Sequence, residues 1–337
     1  PYRAANRLLL AELFGVAPAA VAAGASRALV RAVVALREIK DDAEVAEIET
    51  ALGVSALMYQ FALRNARPGL HEAQIAGAML GVALSYDMQP SFQPIVSVRG
   101  EILHNESRAN LLEPGQLLLL DSGVETGEGY CSDITRTIPV GGVFSRRPRD
   151  IYDVVQGAQA AAIEAVAPGA TNRDVHLAAA LAVSRGLTEL GLMRGDPAEA
   201  TAAGAHALFF PHGIGHMLGL DVHDMEDLGD AVGYDEGAAR SPQFGLNFLR
   251  LAKALKPGFV ITIEPGIYFN PPLIARWQDA RLHAGFLDYA AVRRYAGFGG
   301  IRLEDDVLVT ADGNRVLGPP IPKTADDVEL VMGGDAA

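Results

Sequence analysis

Two aspartates stand in a segment that reads as a tight hairpin, and they are the first residues whose spacing demands a chemical explanation. The run Leu117-Leu-Leu-Leu-Asp121-Ser-Gly-Val-Glu125 enters a glycine-containing turn over 126–129 and returns through Tyr130-Cys-Ser-Asp133-Ile-Thr-Arg-Thr137. Counting outward from Gly127, the simplest register sets Val124 against Tyr130, Gly123 against Cys131 and Asp121 against Asp133. Directly opposed strand residues hold their Cβ atoms roughly 4.5–5.5 Å apart, and like charges there destabilise. Two carboxylates about 4 Å apart repel by roughly 4 kcal/mol at an effective dielectric near 20. A buried strand keeps such a pair only with a cation or a shared proton between them. The alternative is a kinked or bulged hairpin with both aspartates solvated.

Three further segments embed an acid or a histidine in apolar, extended sequence. Glu264 closes the run Phe259-Val-Ile-Thr-Ile before Pro265-Gly266. In Gly300-Ile-Arg-Leu-Glu-Asp-Asp306, strand alternation sets Arg302, Glu304 and Asp306 on one face and Ile301, Leu303 and Asp305 on the other. His212, His216 and His223 punctuate a glycine-rich stretch, where the backbone can approach a ligand closely. Each feature alone reads as a solvated strand end or a packed histidine; together they carry more. Asp121, Asp133, Glu264 and Glu304 sum to four negative charges. Two divalent cations balance them, with His216 as a neutral nitrogen ligand. That is the donor set of a two-metal hydrolase, in which a water between the ions reaches hydroxide near neutral pH. Oxygen-rich ligation with one imidazole suits Mn²⁺, with Co²⁺, Fe²⁺ and Zn²⁺ as further choices.

The elements that must position these residues follow from local signals. Helices are expected near Ala5–Phe14 and Arg27–Leu36, and from a cap at Asp41 or Asp42 with Glu44 in the first turn to about Ala66. Further helices are expected from Glu72 to Tyr86, over 150–166, and from the capping box Thr171-Asn-Arg-Asp174 to about Leu190. Strands are expected at Gln93–Val98, along both arms of the hairpin, at Val260–Glu264 and at Ile301–Val309. Residues 192–206 read as a loop, and the acidic, glycine-rich 225–245 as an irregular insertion. Helices alternating with antiparallel strand pairs point to an α+β or α/β sheet backed by helices on one face.

Composition sets the outer bounds. With 337 residues, half of them hydrophobic, the chain can bury a full core. A net charge of −13 argues against nucleic acid or an anionic membrane as partner. There is no apolar run long enough to span a bilayer, and the start at Pro1 shows no signal-peptide pattern. The single cysteine, Cys131, excludes an internal disulfide and reads as a small buried hydrophobe in a cytoplasmic protein.

The ordered words Ile102-Leu-His104, Ser132-Asp-Ile-Thr-Arg-Thr137, His212-Gly-Ile-Gly-His216, Gly219-Leu-Asp-Val-His223-Asp, Thr262-Ile-Glu-Pro-Gly-Ile-Tyr268 and Gly300-Ile-Arg-Leu-Glu-Asp-Asp-Val307 resemble the pita-bread metallopeptidases of the creatinase/aminopeptidase type. The likeness runs from about residue 38 to 330 and favours the proline-directed branch, prolidase and aminopeptidase P. It implies a curved, mainly antiparallel sheet backed by helices. By resemblance, Asp121 chelates one metal, Asp133 and Glu304 bridge both, and His216 and Glu264 bind the second. Glu264 would also shuttle a proton. His104, His212 and His223 match accessory histidines that hold the scissile carbonyl, steady the oxyanion and line a proline pocket. Arg302 matches an arginine that orients the bridging glutamate. Arg250 matches a prolidase arginine that grips a free C-terminal carboxylate, which favours an Xaa-Pro dipeptidase. The alternatives are an Xaa-Pro aminopeptidase acting on longer peptides, a metal-free binding scaffold, or another reaction on the same fold such as creatine hydrolysis. Expected partners are short proline-containing peptides and a second copy in a homodimer. The expected division is an N-terminal stub over 1–38, the catalytic domain over 39–332 and a tail over 333–337.

Overall fold

The computed structural model describes residues 4–333; most of the expected C-terminal tail lies outside them. In chain order the elements begin with α1 (Ala4–Phe14), α2 (Arg27–Arg37), α3 (Asp42–Asn65) and α4 (Glu72–Ser85). Strands β1 (Gln89–Pro90), β2 (Ile95–Ser97), β3 (Leu117–Ser122), β4 (Val124–Glu125) and β5 (Ile134–Pro139) follow. Next come α5 (Arg146–Ala165), α6 (Asn172–Glu189), α7 (Pro197–Ala203), β6 (Val260–Ile263) and β7 (Gly266–Tyr268). The chain ends through α8 (Pro271–Asp279), α9 (Tyr289–Arg293), β8 (Gly300–Arg302), β9 (Asp305–Val309), β10 (Asn314–Val316) and α10 (Ala325–Gly333). No helix among the described residues is long and apolar enough to cross a membrane.

The architecture is α+β, with antiparallel strand pairing throughout. One three-stranded sheet runs β2-β3-β5 and another β10-β9-β6, while β7 pairs with β8. The bridge between Thr135 and Glu304 joins the first sheet to the β8–β9 junction. Two helix pairs, α3/α4 and α5/α6, pack behind these strands. Each pair turns at a Pro-Gly: Gly69 N donates to Leu112 O and Gly169 N to Leu255 O, both at 2.9 Å. The long helices begin where capping chemistry dictates. Asp41 accepts from Ala43 N and Glu44 N while Glu44 reaches back to Asp41 N, and Thr171 with Asp174 repeats the device on α6. Each such cap is worth about 1 kcal/mol.

Three expectations need correction. Residues 192–206 are not all loop: Asp196 caps α7 through Ala198 N and Glu199 N, with Pro197 at the first helical position, where its fixed φ suits the turn. The strand expected over Ile301–Val309 breaks at Leu303-Glu304 into β8 and β9. The hairpin register is also offset by two residues, so that Asp121 opposes Thr135, not Asp133. The cause is the turn. Thr126 N bonds Tyr130 O and Gly129 N bonds Thr126 O, with Gly129 at φ 90°. That is a three-residue loop closed by a left-handed glycine, centred on Glu128 and not on Gly127.

The strands that carry the acids are fixed from beneath. Tyr59, fully buried on α3, donates toward the carbonyls of Leu120, Ser122 and Ile134 across the hairpin. Arg136 is 2% exposed. Its guanidinium donates to Glu304 O at 2.7 Å, Thr135 O at 2.9 Å, Asp305 Oδ1 at 2.7 Å and Pro322 O at 3.1 Å. Lys323 completes the pairing of Asp305 at 2.7 Å. A buried cation with every donor engaged is the condition under which such a charge is tolerated. Here it locks β5 to the β8–β9 junction, and so sets where Glu304 points. The N-terminal segment joins the core through ion pairs: Arg37 and Lys40 hold Asp224, and Glu38 takes Lys253 and Lys256.

Candidate metal centre

Asp133, His216 and Glu304 each bring one ligand atom within 4.8 Å of the others, all three residues buried. Each arrives on a different element. Asp133 precedes β5, His216 is held by His216 N donating to Thr262 Oγ1 at 3.1 Å, and Glu304 sits in the break between β8 and β9. Glu264, just beyond β6, brings Oε1 to 3.9 Å from His216 Nε2. Asp121 lies on β3, with one oxygen taken by the Arg302 guanidinium. Thr135 Oγ1 donates to Glu304 Oε2 at 2.6 Å and accepts from Arg302 Nε at 3.2 Å. Of the five predicted ligands the structure gathers three, Asp133, His216 and Glu304; Glu264 lies beside His216, and Asp121 is tied to the group only through Arg302 and Thr135.

The electrostatics of this cluster are those of an acid site short of positive charge. Burial, then Asp121, Asp306 and Glu264, pushes the Asp133 carboxyl well above its ordinary range. Burial, then Asp133, Glu264 and Asp121, does the same to Glu304, and burial raises Glu264. Among the described residues, Asp121 Oδ1 and Asp133 Oδ1 are buried without a hydrogen-bond partner. His216 supplies the sharpest test of a metal. Its Nδ1 faces the Met217 carbonyl at 2.9 Å, and a carbonyl only accepts, so Nδ1 carries the proton and Nε2 carries a lone pair. Burial lowers the pKa of His216, which keeps the ring neutral. Yet Nε2 points at Asp133 Oδ2, 3.4 Å away. A lone pair aimed at a carboxylate is repulsive unless a cation or a proton lies between them. Orphaned carboxylate oxygens and a correctly tautomerised imidazole fit a divalent metal.

The accessory residues lie around this centre. His212 Nδ1 donates to Gly213 O at 2.8 Å, which leaves Nε2 to accept from Tyr268 Oη at 2.9 Å. Burial, and next the Arg302 charge, pushes His212 down to about 3. Tyr268 Oη also accepts from Arg302 Nη1 at 3.0 Å. The ring of His223 packs edge-on against His216 with centroids 4.2 Å apart, and its Nδ1 meets Glu226 Oε2 at 2.9 Å. His104 stands exposed at the rim, lowered first by desolvation and then by the charges of Arg302 and Arg250. Arg250 is paired with Glu226. Cys131 is buried, and burial raises its thiol, in keeping with a packing role.

Sequence reasoning missed Tyr268, Thr135, Asp306 and Glu226. Thr135 was findable, lying two residues beyond Asp133 on the same strand arm. Asp306 Oδ2 accepts from Asp133 N at 3.1 Å and shares the face predicted for Glu304. Tyr268 joins Arg302 to His212, a link between β7, β8 and the histidine loop that no local pattern reveals. Replacing Tyr268 with phenylalanine leaves His212 Nε2 and Arg302 Nη1 short of a partner. The expected cost is about 1–3 kcal/mol of stability with roughly a tenfold or greater loss of kcat/KM, read by thermal unfolding and peptide kinetics on the same preparation.

An α+β unit that gathers buried acids around one neutral imidazole is an arrangement that fits divalent metal. Residues 46–311 match metallopeptidase family M24, and the chain belongs to that family. A probable Xaa-Pro aminopeptidase from Fusarium vanettenii is 34% identical over 308 residues, covering 90% of this chain and 64% of the relative. Among solved structures, Pseudomonas aeruginosa aminopeptidase PepP aligns with a TM-score of 0.73 at 33% identity, over 89% of this chain and 60% of that one. Proline aminopeptidase P II from Yersinia pestis aligns with a TM-score of 0.74 at 33% identity, over 90% and 62%. The fold is thus the pita-bread fold, in the proline-directed branch. The chain spans a little under two thirds of the length of these relatives.

Proposed function

We propose that this chain is the catalytic unit of an Xaa-Pro aminopeptidase that hydrolyses the amide bond before proline in peptides longer than dipeptides. In this reading residues 39–332 form the catalytic domain. The segment 1–38 braces it through Arg37 and Glu38, and the working form is a cytoplasmic homodimer. Asp121, Asp133, His216, Glu264 and Glu304 would hold two divalent ions, Mn²⁺ by donor chemistry. When bound, the ions supply a nucleophilic water at neutral pH and polarise the scissile carbonyl. Glu264, with its raised pKa, takes a proton from the attacking water and returns it to the departing proline nitrogen. Thr135 and Arg302 hold Glu304 and Asp121 in place. His104, His212 and His223 surround the carbonyl and the proline ring, and Tyr268 fixes His212 through its hydroxyl.

The observation that favours the aminopeptidase over the dipeptidase is the ion pair of Arg250 with Glu226. An arginine already holding an internal carboxylate is a poor grip for a substrate's own. A cleft of about 330 Å³ lined by Tyr268, Leu208, Pro211, Leu273 and Arg276 also leaves room beside the site for more peptide. With Mn²⁺ supplied, Ala-Pro-Ala is expected to be cleaved at least about tenfold more efficiently than Ala-Pro, a difference of about 1.4 kcal/mol in transition-state binding. Faster cleavage of Ala-Pro returns the dipeptidase reading. Cleavage of neither peptide by metal-loaded protein returns the binding scaffold.

A further inference from the structure

We propose that Glu226 is a built-in specificity determinant, an internal carboxylate seated on Arg250 where the terminal carboxylate of a dipeptide would sit, so that the protein rejects dipeptides. This rests on the aminopeptidase reading above and names the residue that enforces it. Glu226 belongs to the acidic, irregular insertion. It opens a short 3₁₀ turn, Glu226–Ala231, preceded by Met225 in the left-handed region at φ 61° and kinked at Gly229. Non-glycine residues seldom adopt that backbone, so the turn is held from outside.

The holding contacts are visible. A Cβ on Gly233 would lie 1.8 Å from Arg250 O, so the insertion runs directly against the Arg250 backbone. Gly233 O accepts from Ala252 N at 2.8 Å and Lys253 N at 3.1 Å. Tyr234 Oη and Arg240 Nη1 both donate to Leu249 O, at 2.8 and 2.7 Å. The insertion and residues 249–253 therefore form one unit, and within it Glu226 has two occupations. Oε1 pairs with Arg250 Nη1, and Oε2 accepts from His223 Nδ1. Since a carboxylate only accepts, His223 carries its proton on Nδ1. His223, whose ring packs 4.2 Å from that of His216, ties Glu226 and through it Arg250 to the edge of the metal centre. A guanidinium fork takes one carboxylate bidentately. A second carboxylate brought there meets the negative charge of Glu226. A longer peptide carries its terminus elsewhere and meets no such repulsion.

The test uses the full chain loaded with Mn²⁺ and the variant Glu226→Gln, which keeps an acceptor for His223 and removes the charge on Arg250. Two readouts are taken: kcat and KM on Ala-Pro and Ala-Pro-Ala, and calorimetric binding of free proline against prolinamide, which lacks the carboxylate. The expected result is a KM for Ala-Pro lowered about tenfold and proline binding tightened to match, with prolinamide unmoved. Adding Arg250→Gln should erase both gains, and Glu226→Ser should reproduce them. Unchanged Ala-Pro and proline values in Glu226→Gln overturn the proposal, as does a gain that survives loss of Arg250. If the unsubstituted protein cleaves neither peptide, the function reading fails, while the proline and prolinamide titrations still decide the role of Glu226.

Discussion

Replacing Glu304 with glutamine is expected to abolish peptide hydrolysis and, without metal at alkaline pH, to raise the melting temperature. The two effects share one cause. Glu304 is 2% exposed, and burial followed by Asp133, Glu264 and Asp121 pushes its pKa well up. Without a cation its negative charge is a liability, and a neutral amide of the same shape relieves it while still accepting from Thr135 Oγ1. With metal the same charge is the ligand. Its loss removes an anionic donor expected to bridge both ions, and a fall on the order of 10³-fold or more in kcat/KM is expected. The stability gain should shrink as pH falls, because the raised wild-type carboxyl then takes up its proton. Metal content, peptide kinetics and thermal melts in chelator check all three parts. Activity within tenfold of wild type would remove Glu304 from the centre.

Metal should change the pH dependence of stability. Asp133, Glu264 and Glu304 all have folded pKa values above their ordinary ones. The folded chain therefore binds more protons than the unfolded chain once pH exceeds the ordinary carboxylate range near 4, and stability must fall as pH rises from there toward the raised folded values. In chelator, the melting temperature should decline from pH 5 to pH 8. Mn²⁺ bound to the native state alone adds stability that grows with its excess, about 4 kcal/mol at a thousandfold over Kd. Binding needs the carboxylates ionised, so it releases protons and strengthens with pH. Calorimetry with and without metal should show two curves that diverge as pH rises. A chelator profile that is level across this range would mean that the acids do not crowd one another in the folded chain.

Much of this centre is legible in the amino-acid sequence. Acid and histidine types at Asp121, Asp133, His216, Glu264 and Glu304 are fixed by the chain, and alternation assigns Arg302 and Glu304 to one face. The caps at Asp41 and Thr171 are local chemistry within four residues, so the helices that back the sheet are readable too. The hairpin register is not. Period-two alternation decides which face a residue takes, but a shift of two preserves every face. Only the loop centred on Glu128 selects Thr135 as the partner of Asp121.

The same division holds across the molecule. The sequence by itself determined the residue types of the proposed donor set, their charge and most of the elements that carry them, because those depend on residue type and short-range spacing. The tertiary structure alone decided the break at Leu303-Glu304, the Tyr268 link between Arg302 and His212, and the closure of Arg250 by Glu226. Those contacts join segments with no common periodicity, and a side-chain pair formed across the fold leaves no trace in either local pattern.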